Sequence, residues 1–142
     1  MLVSQILKEK GDLVFTASPT DSVGAVAALL VARKVGAMVV LDDRQDVAGI
    51  VSERDVVRVV AERGAEGLAQ PISACMTRDV VFAAPNETVD ELMGRMTDRR
   101  IRHLPVCRGG KLVGIVSIGD LVKRKIDETV AETETLKAYI SA

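Results

Sequence analysis

"GIVSERD" at Gly49–Asp55 and "GIVSIGD" at Gly114–Asp120 spell one short phrase twice in a chain of 142 residues. Read singly, each copy is the end of a β-run and the start of a helix. Ser52 and Ser117 carry hydroxyls that can accept a bond from an orphan helix N–H, and Asp55 and Asp120 suit a capping box and the positive end of the helix dipole. The glycines ask for more. Gly49 and Gly114 head apolar runs, where glycine weakens a strand unless something must come close. Glycine, a helix-start hydroxyl and an acid one turn later are also the parts of a nucleotide cradle. The N–H groups and hydroxyl suit a phosphate, and a carboxylate's two oxygens can accept both hydroxyls of a ribose. The phrase alone leaves both readings open.

Its surroundings show that the phrase belongs to a duplicated unit. Ser22-Val23 falls on Thr88-Val89, Val26-Ala27 on Leu92-Met93, Arg33-Lys34-Val35 on Arg99-Arg100-Ile101 and Val40 on Val106, each 66 positions apart. From Gly49 onward the offset becomes 65, because "DDRQDVA" faces the shorter "RGGKLV". A single gap falling in a polar turn is what two copies of one fold produce. Each copy reads as a short strand ("LVFTASP", 13–19; "VVFAAP", 80–85), then a helix capped by Ser22 or Thr88. A strand–turn–strand ("AMVVLDDRQDVAGIV", 37–51; "HLPVCRGGKLVGIV", 103–116) and a second helix from Ser52 or Ser117 follow. The expected domains are 3–65 and 72–128, joined through the Gly- and Pro-bearing stretch 61–77, with a helical extension over 129–142. Ile126, Val130, Leu136 and Ile140 give that extension an apolar stripe, which either packs on its own domain or forms a dimer contact.

Composition narrows the function. Twenty acidic against nineteen basic residues leave a formal charge of −1, which supplies no bulk field for nucleic acid or an acidic membrane. With no Trp, one Tyr and two Phe, the core must be aliphatic. Cys75 and Cys107 stand in no metal-ligand spacing and are expected as reduced, buried thiols. His103 is the single histidine, so a catalytic dyad or His-based metal cluster would have to be built on it alone; a ligand contact or a solvated strand end fits better. No P-loop, HExxH or GxSxG is present, and nothing points to an enzyme. The N-terminus does not read as a secretory signal and no run approaches a membrane span, so the expectation is a cytoplasmic protein.

The paired phrases, with "RIRHLPVCRGGKLVGIVSIGDLVK" (100–123) around the second, resemble a CBS domain pair, or Bateman module, over roughly residues 3–126. The chain is similar to stand-alone CBS-pair proteins of bacteria and plant mitochondria, which carry no catalytic domain. The resemblance implies an α/β (α+β) fold of two pseudo-symmetric domains, each a three-stranded sheet covered by two helices, packed sheet to sheet. It implies AMP, ADP or ATP, or else NAD(H) or S-adenosylmethionine, bound between the units. By position, Asp55 and Asp120 would hold ribose hydroxyls, and Ser52 and Ser117 would contact phosphate or ribose. Arg102, His103 and Arg54 would reach phosphate. The backbone at Thr16, Ala17, Val81 and Ala83 would edge the adenine, with Pro105 nearby. The first copy has Gly36-Ala37-Met38-Val39 where the second has Arg102-His103-Leu104-Pro105, so unequal clefts are expected. The resemblance also implies homodimers stacked as a disc and a regulated partner protein. The competing readings are a ligand-free dimerisation or interaction scaffold, in which both phrases are only caps, and, last, an enzyme acting through His103.

Overall fold

The computed structural model describes residues 1–11 and 14–141. Asp12 and Leu13, at the head of the first expected strand, and Ala142 of the expected extension lie outside them. The chain divides into two compact units, Leu13–Val81 and Met1–Asp12 with Phe82–Ala142.

In the first unit, β1 (Thr16–Ala17) runs parallel to β2 (Ala37–Leu41), and β2 pairs antiparallel with β3 (Val47–Ser52). Asp42 shapes the β2–β3 turn by accepting the Arg44 and Asp46 amides at 2.9 and 3.0 Å, the short Asx geometry that makes aspartate a turn former. The helices α2 (Val23–Arg33) and α3 (Glu53–Arg63) complete the repeat. Val23, Val26 and Leu30 of α2 are buried at helical spacing and join Met38, Val40, Val51 and Val59 in one aliphatic core.

The second unit repeats the plan with α4 (Val89–Arg99), β4 (His103–Arg108), β5 (Lys111–Ser117) and α5 (Ile118–Ser141). Both first helices start and stop alike. Ser22 accepts the Ala25 amide and Thr88 the Glu91 amide, each at 3.1 Å. Each helix then ends on a left-handed residue, Lys34 or Arg100. The caps are worth about 1 kcal/mol apiece.

The second sheet is smaller than the sequence suggests. Only β4 and β5 form an extended ladder, and the expected strand 80–85 contributes a single parallel bridge, Ala83 to Val106. Ala83 donates to the Pro105 carbonyl at 2.9 Å and accepts from Cys107 at 3.0 Å. Side chains take its neighbours: the Phe82 carbonyl accepts from Arg95 at 3.0 Å and the Ala84 amide donates to Glu87 at 2.8 Å. Pro85 has no N–H with which to continue the ladder.

Two further segments fix how the units are bounded. The helix α1 (Val3–Lys10) belongs with the second unit, not with a first domain starting at residue 3. Val3 and Ser4 donate to the Glu87 and Pro85 carbonyls at 2.9 Å, and Val89 donates to Met1 at 3.0 Å. Residues 129–141, in the expected helical extension, continue α5, which runs unbroken from Ile118 to Ser141. The two thiols are free but half-buried rather than buried.

The lead-in segments explain the repeated glycines. In the first unit, Thr77 exchanges backbone bonds with Ile50 at 3.0 and 2.9 Å. A Cβ at Gly49 would then lie 2.7 Å from the Thr77 carbonyl oxygen and 2.8 Å from the Met76 sulfur. In the second unit a Cβ at Gly114 would lie 2.5 Å from a terminal carbon of Leu7, on α1. What comes close is the protein's own chain, and no ligand is needed to account for either glycine.

The two clashes differ in kind, and so should their consequences. Gly49→Ala meets a backbone carbonyl already fixed in a bridge, whereas Gly114→Ala meets the flexible end of a leucine. Urea denaturation should show Gly49→Ala destabilised by about 2 kcal/mol and Gly114→Ala by about 1 kcal/mol or less. Equal losses would mean that the carbonyl at Thr77 yields as easily as the Leu7 side chain.

Candidate functional site

Both copies of the Ser-x-x-Asp phrase turn a strand into a helix by the same hydrogen bonds. The Ser52 amide donates to Asp55 Oδ2 at 2.8 Å, and the Ser117 amide to Asp120 Oδ2, also at 2.8 Å. The Asp120 amide returns a bond to Ser117 Oγ at 3.1 Å, closing a reciprocal capping box. In the first copy the Ser52 hydroxyl donates to Asp55 Oδ2 at 3.3 Å. The corner is also tied to the strand beside it. Glu53 donates to the Gly36 carbonyl at 3.0 Å and Ile118 to the Arg102 carbonyl at 2.8 Å. The capping reading of the phrase is therefore realised in both halves, using one oxygen of each carboxylate.

The second oxygens differ. Asp55 is 5% exposed, the one charged residue among the buried set of the described residues. Its Oδ1 accepts from Arg58, one turn along the same helix, at 3.3 Å. Asp120 is half-buried. Its Oδ2 instead takes Lys10 Nζ at 2.7 Å, and the same ammonium donates to the Ile115 carbonyl at 2.9 Å. Ile115 corresponds to Ile50, whose carbonyl in the other half accepts the Thr77 amide. One side chain thus replaces a backbone bridge and captures the carboxylate as well. Burial by itself would raise the Asp120 carboxyl; the Lys10 ammonium and the Ser117 amide outweigh it and hold the group below the ordinary carboxylate range.

In the second unit the structure brings several expected residues together. His103 is the register partner of Ser117, and Arg102 is the exposed residue before it. Asp120 stands one turn into α5, with the Lys10 ammonium on its carboxylate and the Arg102 carbonyl accepting the Ile118 amide at the helix start. Ala83 and Pro105 lie further along the same sheet, both buried. In the first unit Ser52 pairs with Ala37, and Arg54 is exposed. Thr16 and Ala17 form β1, the first exposed and the second buried. Val81 is half-buried outside any strand and is joined to neither group by strand pairing.

Lys10 is absent from the sequence reading because it precedes the repeat and has no register partner there. Glu87 and Arg95 were also unread. Arg95 donates to the Phe82 carbonyl and to Glu87 Oε1, both at 3.0 Å, clamping the backbone around Ala83. The Arg95 hydrogen bond lowers the Glu87 carboxyl. Leu29 stands where the first copy would need the arginine. A cleft of about 420 Å³ opens between Leu2, Ser4, Pro85, Asn86 and Arg108. It sits at the turn end of the β4–β5 hairpin, opposite the His103–Ser117 end, and is not the cradle. Burial pushes both thiols up, Cys75 further by the charge of Asp55, so neither has the environment of an activated nucleophile. No helix among the described residues is long and apolar enough to cross a membrane.

Comparison with known proteins agrees with this architecture. The family model for the CBS domain matches residues 11–62 and 72–127. The mitochondrial CBS domain-containing protein CBSX3 of Arabidopsis thaliana is 32% identical over 97% of this chain and 71% of its own. The crystal structure of the CBS-domain containing protein ATU1752 from Agrobacterium tumefaciens superposes with a TM-score of 0.85 at 47% identity, covering 87% of this chain and 92% of that one. The CBS domain pair of protein MJ0100, solved with 5′-methylthioadenosine and S-adenosyl-L-methionine, superposes with a TM-score of 0.81 at 25% identity over 90% of this chain and 98% of that one.

Replacing Lys10 by Met keeps the length of the side chain and removes its charge. The native Asp120 carboxyl, followed by carbon-detected NMR, should titrate below the ordinary value of about 3.9 in the wild type and move upward in Lys10→Met. A lowered native pKa contributes stability above the unfolded value and loses it as pH falls through the native value. The pair is partly exposed, so at pH 7 the variant should lose only about 0.2–1 kcal/mol, a difference that vanishes in acid. An unmoved Asp120 titration would mean that Lys10 does not sit on the carboxylate in solution.

Proposed function

The chain belongs to the CBS-domain family, and from that premise we propose that it is a regulatory module that binds adenine nucleotides and passes a ligand-dependent change of shape to a partner protein. The observation that carries the reading is the recurrence, at both strand-to-helix corners, of a sequestered carboxylate held one turn above a helix start. An ordered acid beside helix N–H groups suits a ribose and its phosphate. The MJ0100 pair, solved with two adenosine-bearing molecules, supports the chemical class. We assign AMP, ADP or ATP as the ligand, with NAD(H) the alternative, and no catalytic step. The ligand acts by binding one arrangement of the module better than another. We read the nucleotide-bound species as a homodimer whose CBS modules meet.

The two halves should not bind alike. In the second, the Lys10 ammonium sits on the carboxylate and Arg102 and His103 stand at the start of the strand beside it, which favours a ligand with phosphate. In the first, Asp55 Oδ1 is engaged by Arg58, and Gly36 and Ala37 stand where Arg102 and His103 do. A ribose there must displace a 3.3 Å bond from an arginine that is 60% exposed. One finding favours the second reading, a ligand-free interaction scaffold: capping and the protein's own lead-in segments already account for every residue of the repeated phrase.

Calorimetric titration separates the two. Asp120→Asn keeps an acceptor for the cap while removing the charge, and loss of charged hydrogen bonds worth about 1.5–3 kcal/mol should weaken AMP tenfold to a hundredfold. Asp55→Asn should weaken it less. Wild-type affinity for AMP in the double variant would refute the site. A wild-type protein that binds no adenine nucleotide and carries none in native mass spectrometry would leave the scaffold.

A further inference from the structure

The last half of α5 has no work in its own unit. Leu121 is fully buried, and the N-terminal ammonium of Met1 reaches Glu128 at 3.2 Å. Beyond that tie every described residue from 129 to 141 is exposed. A helix of this length standing alone in water is marginal. Four of its exposed apolar residues fall with two threonines on one line, and Val130 and Tyr139 flank it. Val122, Ile126, Thr129, Thr133, Leu136 and Ile140 alternate spacings of four and three, the seam of a heptad repeat. Ile126, Leu136 and Ile140 are 56%, 61% and 80% exposed. The two threonines bond back to the carbonyls of Lys125 and Thr129 at 2.9 Å, so their hydroxyls ask nothing of the seam.

We infer that this stripe is an interface for a second copy of the same chain, paired as a parallel, in-register two-stranded coiled coil. The charges beside the seam choose the occupant and its direction. In a parallel pair the position before Ile126, Thr133 or Ile140 lies against the position five residues on in the other helix, which sets Glu132 of one copy against Lys137 of the other, twice by symmetry. An antiparallel pair with the same core layers would set Glu132 against Glu132 and Lys123 against Lys137. Lys125, the remaining flanking cation, is already held by Asp90 at 3.0 Å. The interface needs no nucleotide and is separate from any contact between CBS modules.

Light scattering coupled to gel filtration, on the full nucleotide-free chain at tens of micromolar, tests it. The mass of the wild type should halve in Leu136→Asp/Ile140→Asp, while the circular dichroism of the two units stays. Glu132→Lys should weaken the assembly at least several-fold, and Glu132→Lys/Lys137→Glu should restore it. Leu136→Cys should cross-link to itself on mild oxidation, in a background with Cys75 and Cys107 changed to Ser. A monomeric wild type, or an assembly indifferent to the paired Asp variant, overturns the interface. Dissociation by that variant without charge-swap rescue or self-cross-linking overturns the parallel register.

Discussion

The structure depends on one corner made twice. At the end of β3 and of β5 an aspartate side chain accepts the amide of the serine three residues before it, at 2.8 Å in each half. That bond satisfies a donor which the strand has released and the helix has not yet used. It also ties the first turn of the helix to the last residue of the strand. Everything placed near the helix start, from the Arg102 carbonyl to the Lys10 ammonium, is positioned relative to this corner. Replacing the aspartate by an apolar residue would leave the corner's amide unpaired as well as removing a ligand group. Fold and candidate function therefore rest on the same carboxylate, and neutral, cap-preserving changes are the ones able to separate them.

Much of this was legible because duplication supplies its own internal alignment. The offset of 66 places Ser22 on Thr88 and Lys34 on Arg100, and the structure makes the first pair into caps and the second into left-handed stops. The strand shortened to Ala83 was not legible. It depends on Arg95 and Glu87, whose side chains occupy the backbone of Phe82 and Ala84 and which sit in the sequence as ordinary helix-flank charges. The meaning of the glycines was inverted for a related reason. A sequence shows that something must come close to Gly49 and Gly114, but not whether it is ligand or chain. The nearby atoms belong to Met76, Thr77 and Leu7, which lie outside the repeated phrase.

The lead-in segments are where the two halves part company. Ile72–Thr77, which precedes the second repeat, completes the first unit, and α1, which precedes the first repeat, completes the second. Each fills the space over the equivalent glycine, yet by different means. Thr77 lies in backbone contact with Ile50, with the Met76 side chain beside it over Gly49, and neither brings a charge. The helix α1 stays coiled as far as Lys10, so its approach is made by side chains: Leu7 over Gly114, and Lys10 on the Ile115 carbonyl and Asp120.

A helix in place of a bridge thus brings a positive charge to one cradle and not to the other. The corners themselves match bond for bond at the serine amide. Part of the difference comes from the segments that lie outside the register of the repeat. Arg102 and His103 push in the same direction, since their counterparts Gly36 and Ala37 carry no charge. One carboxylate is held by an ammonium from another helix and the other by an arginine of its own helix, so two geometrically similar corners differ in what already pairs with the acid. This asymmetry has a mechanical consequence: a group that competes for Asp120 also competes with the Lys10 contact of α1, whereas one that competes for Asp55 disturbs only a side chain of α3.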